Sequence, residues 1–287
     1  NGGLNRFAKY HDIEGWLKVS GDVNKWDSCD LEYLWYVVKE LRFFCWDKCG
    51  MSESEWWERQ NYYYYFKQHT FIMLPTGQIV VKHTGNPSGQ DSTTDDNVKK
   101  HIFVKKYNWL SLNDISKQPN QYILKTLRNG YRCSVFGDDN VDSIHPFFAK
   151  NFSFEARNKA YSLFGFSLNE QKDVSSYTIV GHTWLGKEIQ KWNQFYVGYI
   201  NVNKVLCSLL NVESDGMFGS LVLTRALALM VEAAFTPVVN KLIRDFVFFL
   251  LQNGIRPDFA AIEGKYERFL CNIPTQEEVI AFWLGWE

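Results

Sequence analysis

Residues Arg132-Cys133-Ser134-Val135-Phe136-Gly137-Asp138-Asp139-Asn140-Val141-Asp142-Ser143-Ile144 decide how this chain is read. A short β-prone run ends in Gly-Asp-Asp and a second β-prone run follows at once. Gly and Asp accept the φ > 0 conformations of tight connections, so the stretch predicts two strands joined by a short turn. Two neighbouring carboxylates at the tip of a hairpin are costly to leave unpaired, and a divalent cation is the common remedy. An ordinary hairpin with a solvated acidic turn is the plain alternative, and the surrounding sequence has to separate the two.

Upstream, Trp16 to Val23 reads as a strand ending at Asp22, followed by the turn Asn24-Lys25-Trp26-Asp27-Ser28-Cys29-Asp30. Leu31, Leu34, Trp35, Val38 and Leu41 fall at helical spacing, which predicts an amphipathic helix from Asp30, a candidate N-cap, to about Phe44. Tyr62-Tyr63-Tyr64-Tyr65-Phe66 reads as an aromatic stripe on a helix, with base stacking as the less economical alternative. Pro75-Thr76-Gly77 between two β-prone runs signals a hairpin. The run Gly85-Asn86-Pro87-Ser88-Gly89-Gln90-Asp91 forces a loop that opens a helix, with Asp91 or Ser92 able to cap it. On that helix Thr93 and Asn97, four apart, share a face. Its lysines, Lys99, Lys100, Lys105 and Lys106, read as a solvated basic face, with phosphate contacts as the alternative.

Downstream, helices are expected over Leu112 to Arg128 and Pro146 to Phe164, then a short strand at Phe166 to Leu168 and an extended pair from Tyr177 to Lys187. From about Gln190 the pattern turns helical: Val202 to Leu210, Ser220 to Phe235, Pro237 to Gln252 and Thr275 to Leu284. Thr236-Pro237 supplies a cap and a first-turn proline, and Gly254 a stop.

The composition suits a packed chain with one large core or two smaller ones. Of 287 residues, 46% are hydrophobic and 22% charged, and 17% are aromatic, including 11 Trp, so ring packing dominates the expected interior. Six scattered cysteines argue for free thiols. Cys45 and Cys49 could hold half a zinc site, with His69 or His83 completing it, although no second close Cys pair exists. No apolar run is long enough to span a bilayer. A net charge of -1 is not the footprint of a nucleic-acid binder taken alone.

Asp22 and Asp138-Asp139 each place carboxylates at strand ends. Were those strands side by side, the carboxylates would converge on one sheet edge, as two Mg²⁺ ions about 4 Å apart require for phosphoryl or nucleotidyl transfer. At this point the chain resembles the RNA-dependent RNA polymerases of positive-strand RNA viruses, with wording near Gly85-Asn86-Pro87-Ser88-Gly89-Gln90 similar to astrovirus-like and picornavirus-like members. Asp22-x-x-x-x-Asp27 resembles motif A. Ser88-Gly89-x-x-x-Thr93-x-x-x-Asn97 resembles motif B, and Phe136-Gly137-Asp138-Asp139-Asn140 motif C. Gly165 with Lys172 resembles motif D, and Thr183-Trp184-Leu185-Gly186 loosely resembles motif E without its usual basic pair.

The resemblance implies an α+β fold: a right-hand polymerase palm with an antiparallel sheet backed by helices and an RRM-like core. Residues 1–189 would form the palm, with a partial fingers insertion at about 50–84, and 190–287 an all-helical thumb. It implies that Asp22 and Asp138 ligate two Mg²⁺ ions, with Mn²⁺ able to substitute. Asp139 would be a weaker ligand and the Val23 backbone carbonyl a further contact. Asp27, Ser88 and Asn97 would read the ribose 2′-OH of an rNTP, with Thr93 alongside them. Gly89 would let the loop move, and Lys172 would be the general acid for departing pyrophosphate, with Lys159 and Lys187 as competitors. The implied partners are an RNA template, nascent RNA, rNTPs and other viral replication proteins, and the implied setting is membrane-associated replication complexes in host cytoplasm. Almost none of the family's basic fingers lies in front of Trp16, so the chain is expected to be a palm-and-thumb fragment with little activity by itself. A reverse transcriptase would place an aromatic gate at Asp27 and lack the Asn97 partner. A non-catalytic RNA-binding or scaffolding module would have no physical reason to keep three costly carboxylates together.

Overall fold

The computed structural model describes residues 2–26, 31–47, 50–86, 92–210, 218–256 and 273–285. The chain divides into two compact units, one made of residues 11–178 and the other of 1–10 with 179–287.

The 11–178 unit is built on a four-stranded antiparallel sheet. Its strands are β1 (Leu17–Gly21), β5 (Tyr131–Phe136), β6 (Asp139–Ile144) and β8 (Val174–Ser176), in the order β5-β6-β1-β8. The Gly-Asp-Asp stretch is a hairpin as expected, with Phe136 opposite Asp139 and Gly137-Asp138 as the two-residue turn. Gly137 sits at φ +65, the one left-handed position the turn needs, and open space surrounds its missing Cβ. The pairing of β1 with β6 sets Gly21 opposite Asn140. A two-stranded ribbon, β2 (Val23–Asn24) with β7 (Ser167–Leu168), continues the chain just past Asp22.

Helix α4 (Thr93–Leu112) packs between this sheet and two further helices, α2 (Glu32–Phe44) and α3 (Glu53–Gln68). Its inward face carries Asn97, Lys100, His101, Val104, Lys105, Asn108 and Trp109, all buried. Two of the four lysines, Lys100 and Lys105, therefore correct the solvated-face expectation, while Lys106 is exposed. Lys100 lies over the Trp35 ring, 3.0 Å from its centre, and Lys105 meets Asp142. Helical periodicity places both on the packed side, where a buried charge needs an aromatic face or a counter-ion. Ser92 does not cap α4. It takes φ +59 and its hydroxyl turns to the Asp96 carboxylate instead. Asp91 lies outside the described residues.

The hairpin β3 (Thr70–Met73) with β4 (Ile79–Lys82) follows α3 as expected. On α3 the aromatic stripe buries Tyr64 against Trp35, while Tyr62, Tyr65 and Phe66 stay exposed. Glu32 begins α2, with Leu31 at the cap position and no side-chain cap bond; Asp30 lies outside the described residues. The helix expected over 112–128 is displaced. α4 runs on to Leu112, a turn with Asp114 at φ +50 intervenes, and α5 (Asn120–Gly130) starts after Pro119. Proline restricts its own φ and disfavours helix in the residue before it, which explains the later start. The single helix expected from Pro146 to Phe164 is two, α6 (Pro146–Ala149) and α7 (Phe154–Ser162), the second capped by Ser153.

The other unit contains α1 (Gly3–His11), whose last residue belongs to the first unit. It also holds a three-stranded antiparallel sheet, β9 (Thr183–Trp184), β10 (Lys187–Trp192) and β11 (Phe195–Ile200), in the order β11-β10-β9. Helices α8 (Val202–Leu210), α9 (Phe218–Glu232), α10 (Pro237–Gln252) and α11 (Gln276–Leu284) complete it. The first of these helices spans Val202–Leu210 as expected, but the segment from residue 190 is not all helix, because Gln190 to Ile200 alternates as strand in a hairpin around Asn193, at φ +54. Val205, Leu223, Leu227, Met230, Val239, Ile243 and Val247 form one core between these helices.

Candidate active site

Asp22 occupies the single residue between β1 and β2, where the strand leaves the four-stranded sheet. The Asn169 N–H donates to its backbone carbonyl at 2.9 Å and the next residue, Val23, pairs with Leu168, so the kink is held from the β7 side. The β1–β6 register carries Asp22 to the level of the hairpin tip, one step beyond the Gly21–Asn140 pair. Asp138 is exposed at that tip and Asp139 half-buried at the start of β6.

Lys172 reports how these carboxylates relate. It ends a short 3₁₀ turn, Glu170–Lys172, begun by Asn169, whose side chain accepts from the Gln171 N–H. Its Nζ donates to Asp22 Oδ2 at 2.8 Å. Lys172's pKa is raised, first by that hydrogen bond and the Asp22 charge and then by the charges of Asp138 and Asp139. One ammonium therefore feels all three carboxylates. Of the competitors, Lys187 pairs with Glu232 and lies over Trp283. Lys159 closes the last turn of α7. Lys172 alone of the three makes the bond to Asp22 among the described residues.

The motif B residues are partly in view. Asn86 Nδ2 donates to Asn97 Oδ1 at 2.9 Å and to the Thr93 carbonyl at 3.2 Å, so Thr93 and Asn97 share the face predicted for them. Asp27, Ser88 and Gly89 lie outside the described residues, as does Cys49. His69 and His83 approach Nδ1 to Nδ1 at 2.8 Å, but no zinc-like group of three ligands occurs among the described residues.

Residues that the sequence reading passed over surround the hairpin tip. His101 stands one helical repeat beyond Asn97 on α4. Its Nδ1 donates to the Gly137 carbonyl at 2.9 Å, and its Nε2 accepts from the Tyr161 hydroxyl at 3.0 Å. It stacks on Trp26 with ring centres 4.4 Å apart. Burial and the Lys105 charge push its pKa down to about 3, so it is a neutral imidazole whose tautomer follows from its two partners. One repeat further, Lys105 Nζ donates to Asn140 Oδ1 at 2.5 Å and Asp142 Oδ2 at 2.6 Å, and Tyr131 donates to Asp142 Oδ1 at 2.8 Å. Asn140 Nδ2 in turn bonds the carbonyls of Gly21 and Asp138, both at 3.0 Å. The signal available in the sequence was the four-residue repeat Asn97, His101, Lys105, three polar residues aligned on one face of a helix.

Nearby, Arg157 grips Asp173 through two bonds, 2.8 and 2.6 Å, which fixes α7 to the residue after Lys172. Gly21 permits this arrangement, since a Cβ there would come within 3.0 Å of Asp173 Oδ1.

The sequence matches the family described as viral RNA-dependent RNA polymerase over residues 2–247. This chain belongs to that family. Among relatives, the non-structural polyprotein 1AB of Turkey astrovirus 2 is 27% identical over 238 residues, covering 79% of this chain and 14% of the polyprotein. Genome polyprotein 1 of Barley mild mosaic virus is 23% identical over 287 residues, covering 96% of this chain and 12% of that one. In three dimensions the chain is similar to the RNA-dependent RNA polymerase of a human picorbirnavirus, with a TM-score of 0.68 at 20% identity, covering 97% of this chain and 52% of that one. The viral polymerase fold expected from the motifs is thus present, while the chain spans about half the length of that solved polymerase and a far smaller share of the polyproteins.

For a divalent cation the donor chemistry is suitable. Asp22, Asp138 and Asp139 offer hard carboxylate oxygens, and Asp22 already holds a cationic group, the Lys172 ammonium, at 2.8 Å. Among the described residues no three acidic, His or Cys side chains stand as a closed ligand cluster, so ligation would draw on side-chain rotation at an open, solvent-facing edge.

Proposed function

We propose that this chain is the palm and thumb of an RNA-directed RNA polymerase of a positive-strand RNA virus, joining the 3′-OH of nascent RNA to the α-phosphate of a templated rNTP with release of pyrophosphate. The observation that carries this reading is the bond from Lys172 to Asp22 together with the influence of Asp138 and Asp139 on the same ammonium. Two stretches far apart in sequence, Asp22 and Asp138-Asp139, both bear on one ammonium at the open edge of a sheet.

In this reading Asp22 and Asp138, with Asp139 and the Val23 carbonyl as lesser donors, hold two Mg²⁺ ions. Bound there, such ions supply Lewis-acid activation of the attacking hydroxyl and charge neutralisation at the leaving group. Lys172, like any lysine near its ordinary pKa, carries its proton at neutral pH, and the neighbouring carboxylates hold that proton more firmly. It is therefore in the protonation state needed to steady phosphate charge or donate to departing pyrophosphate. Asn97, its amide held by Asn86, would read the ribose 2′-OH together with Ser88 and Asp27. Template and nascent RNA, rNTPs and other viral replication proteins are the expected partners, at membrane-associated complexes in host cytoplasm; the family resemblance supports that setting. Among the described residues no helix is long and apolar enough to cross a membrane.

The test is Asp138→Ala in the full polymerase that contains this chain. Nucleotide incorporation should be abolished while RNA retention in a gel-shift assay stays near wild type. Undiminished incorporation would remove the hairpin from the chemistry.

A further inference from the structure

Asp138 lies between two peptide groups, and each is held by a side chain from outside the turn. The carbonyl before it, Gly137 O, accepts from His101 at 2.9 Å. The carbonyl after its Cα, Asp138 O, accepts from Asn140 Nδ2 at 3.0 Å. The same Nδ2 reaches Gly21 O at 3.0 Å, and Gly21 O belongs to the peptide that leads into Asp22. A primary amide has two N–H donors, and here one goes to each carboxylate-bearing segment. Lys105 determines which way the amide faces. Its ammonium can only donate, so it takes Asn140 Oδ1 and leaves the NH₂ group toward the two carbonyls. Lys105 is itself held by Asp142, one β6 repeat beyond Asn140 and on the same face of the strand.

We infer that Asn140, oriented by Lys105, is a positioning residue that ties the backbone at Asp22 to the backbone at Asp138, with His101 bracing the other side of Asp138. α4 thereby carries, at successive repeats, one residue bonded to Asn86 (Asn97), one on the turn (His101) and one behind the clamp (Lys105). The inference rests on Asp22, Asp138 and Asp139 being divalent-cation donors, as proposed above. It adds that their spacing is set by an amide that touches neither cation nor nucleotide. Exchanging that amide for a carboxylate keeps the acceptor for Lys105 but faces an anion toward two carbonyl oxygens, and the two segments should part.

The test is Mn²⁺ binding to the 287-residue chain, followed by electron paramagnetic resonance of the free ion, with thermal melting in parallel. Asn140→Asp should weaken Mn²⁺ binding by about 10–100-fold, the range for partners that orient metal ligands. Asn140→Ser, which has one donor and a shorter reach, should fall in the same direction and serves if the first variant does not fold. Tyr131→Phe is the control. It removes the bond to Asp142 in the same buried network without touching the clamp, so it should lower the melting temperature and leave Mn²⁺ affinity within about twofold, as expected for a loss of stability alone. Wild-type affinity in both Asn140 variants, or an equal loss in Tyr131→Phe, would overturn the positioning role. Wild-type Mn²⁺ binding that survives Asp138→Ala would instead overturn the cation assignment, and the inference with it.

Discussion

At the scale of single residues, the two roles proposed for Lys172, proton donor and positive charge, are separable by substitution. It is largely exposed, so its bond to Asp22 adds little to folding, and its effect should be on rate. Lys172→Arg keeps a positive charge beside the carboxylates but holds its proton too tightly to act as an acid. Lys172→Leu removes both. If proton donation dominates, both variants should lose about 10²–10⁴-fold in single-turnover incorporation, the usual yield of a general acid. If charge dominates, Arg should recover most of the rate. His101 offers a second residue-scale contrast. His101→Gln can place an N–H near Gly137 O, whereas His101→Leu cannot, so Leu should depress incorporation more than Gln at matched stability.

Among the elements, α4 does most to organise the 11–178 unit, and its first turn contains the unit's densest charge cluster. Asp96 is fully buried and accepts from Arg42 at 2.8 Å, Lys67 at 2.9 Å, Tyr64 at 3.1 Å and Ser92 at 3.3 Å. One carboxylate thus joins α2, α3 and α4. Burial and the Asp96 charge push the Tyr64 pKa upward, so the phenol stays a donor. Removing the carboxylate would take from Lys67 its buried counter-ion beside Trp35, Tyr63 and Tyr64, whereas Arg42 keeps Asp95 at 2.8 Å. Asp96→Ala should therefore cost about 3–5 kcal/mol, the penalty for breaking a buried pair from one side. Urea unfolding followed by Trp fluorescence would measure it, and a cost near zero would mean that water already reaches the cluster. The same helix shows why lysine is hard to read from sequence: Lys99 pairs at the surface with Asp95 one turn back, whereas Lys100, its neighbour, is buried over Trp35.

For the molecule as a whole, the buried neutral imidazole predicts an acid sensitivity. His101 in the unfolded chain titrates near 6.5, and in the fold its pKa is pushed down to about 3 by burial and by Lys105. Between those values the unfolded chain binds a proton that the folded chain does not, so stability falls as pH falls through that window. The contribution is about 1.4 kcal/mol per pH unit from this group, and it should be missing in His101→Gln. Melting temperatures from pH 7 to pH 4 for the two proteins would show converging or parallel curves; parallel curves would mean that His101 is charged in the fold.

Much of the site was legible because its chemistry sits on local signals. Gly137 at a hairpin turn, Asp22 at a strand end, and Thr93 with Asn97 on one helical face follow from backbone rules that operate over a few residues. The departures were local as well: Pro119 and Ser153 each begin a helix inside a stretch expected to be continuous, and Asn193 turns a hairpin ahead of the first C-terminal helix. By itself the sequence determined the fold class, the family and the three acidic positions, since each depends on residue type and short-range spacing. Only the tertiary structure decided that Lys172 serves Asp22 across 150 residues, that His101 faces Gly137 across 36, and that Asn140 bridges two segments 119 and 2 residues away. A buried Lys, His or Asn is spelled the same as an exposed one. Its partner is chosen by packing, where the cost of an unpaired polar group in a dry interior outweighs any local preference.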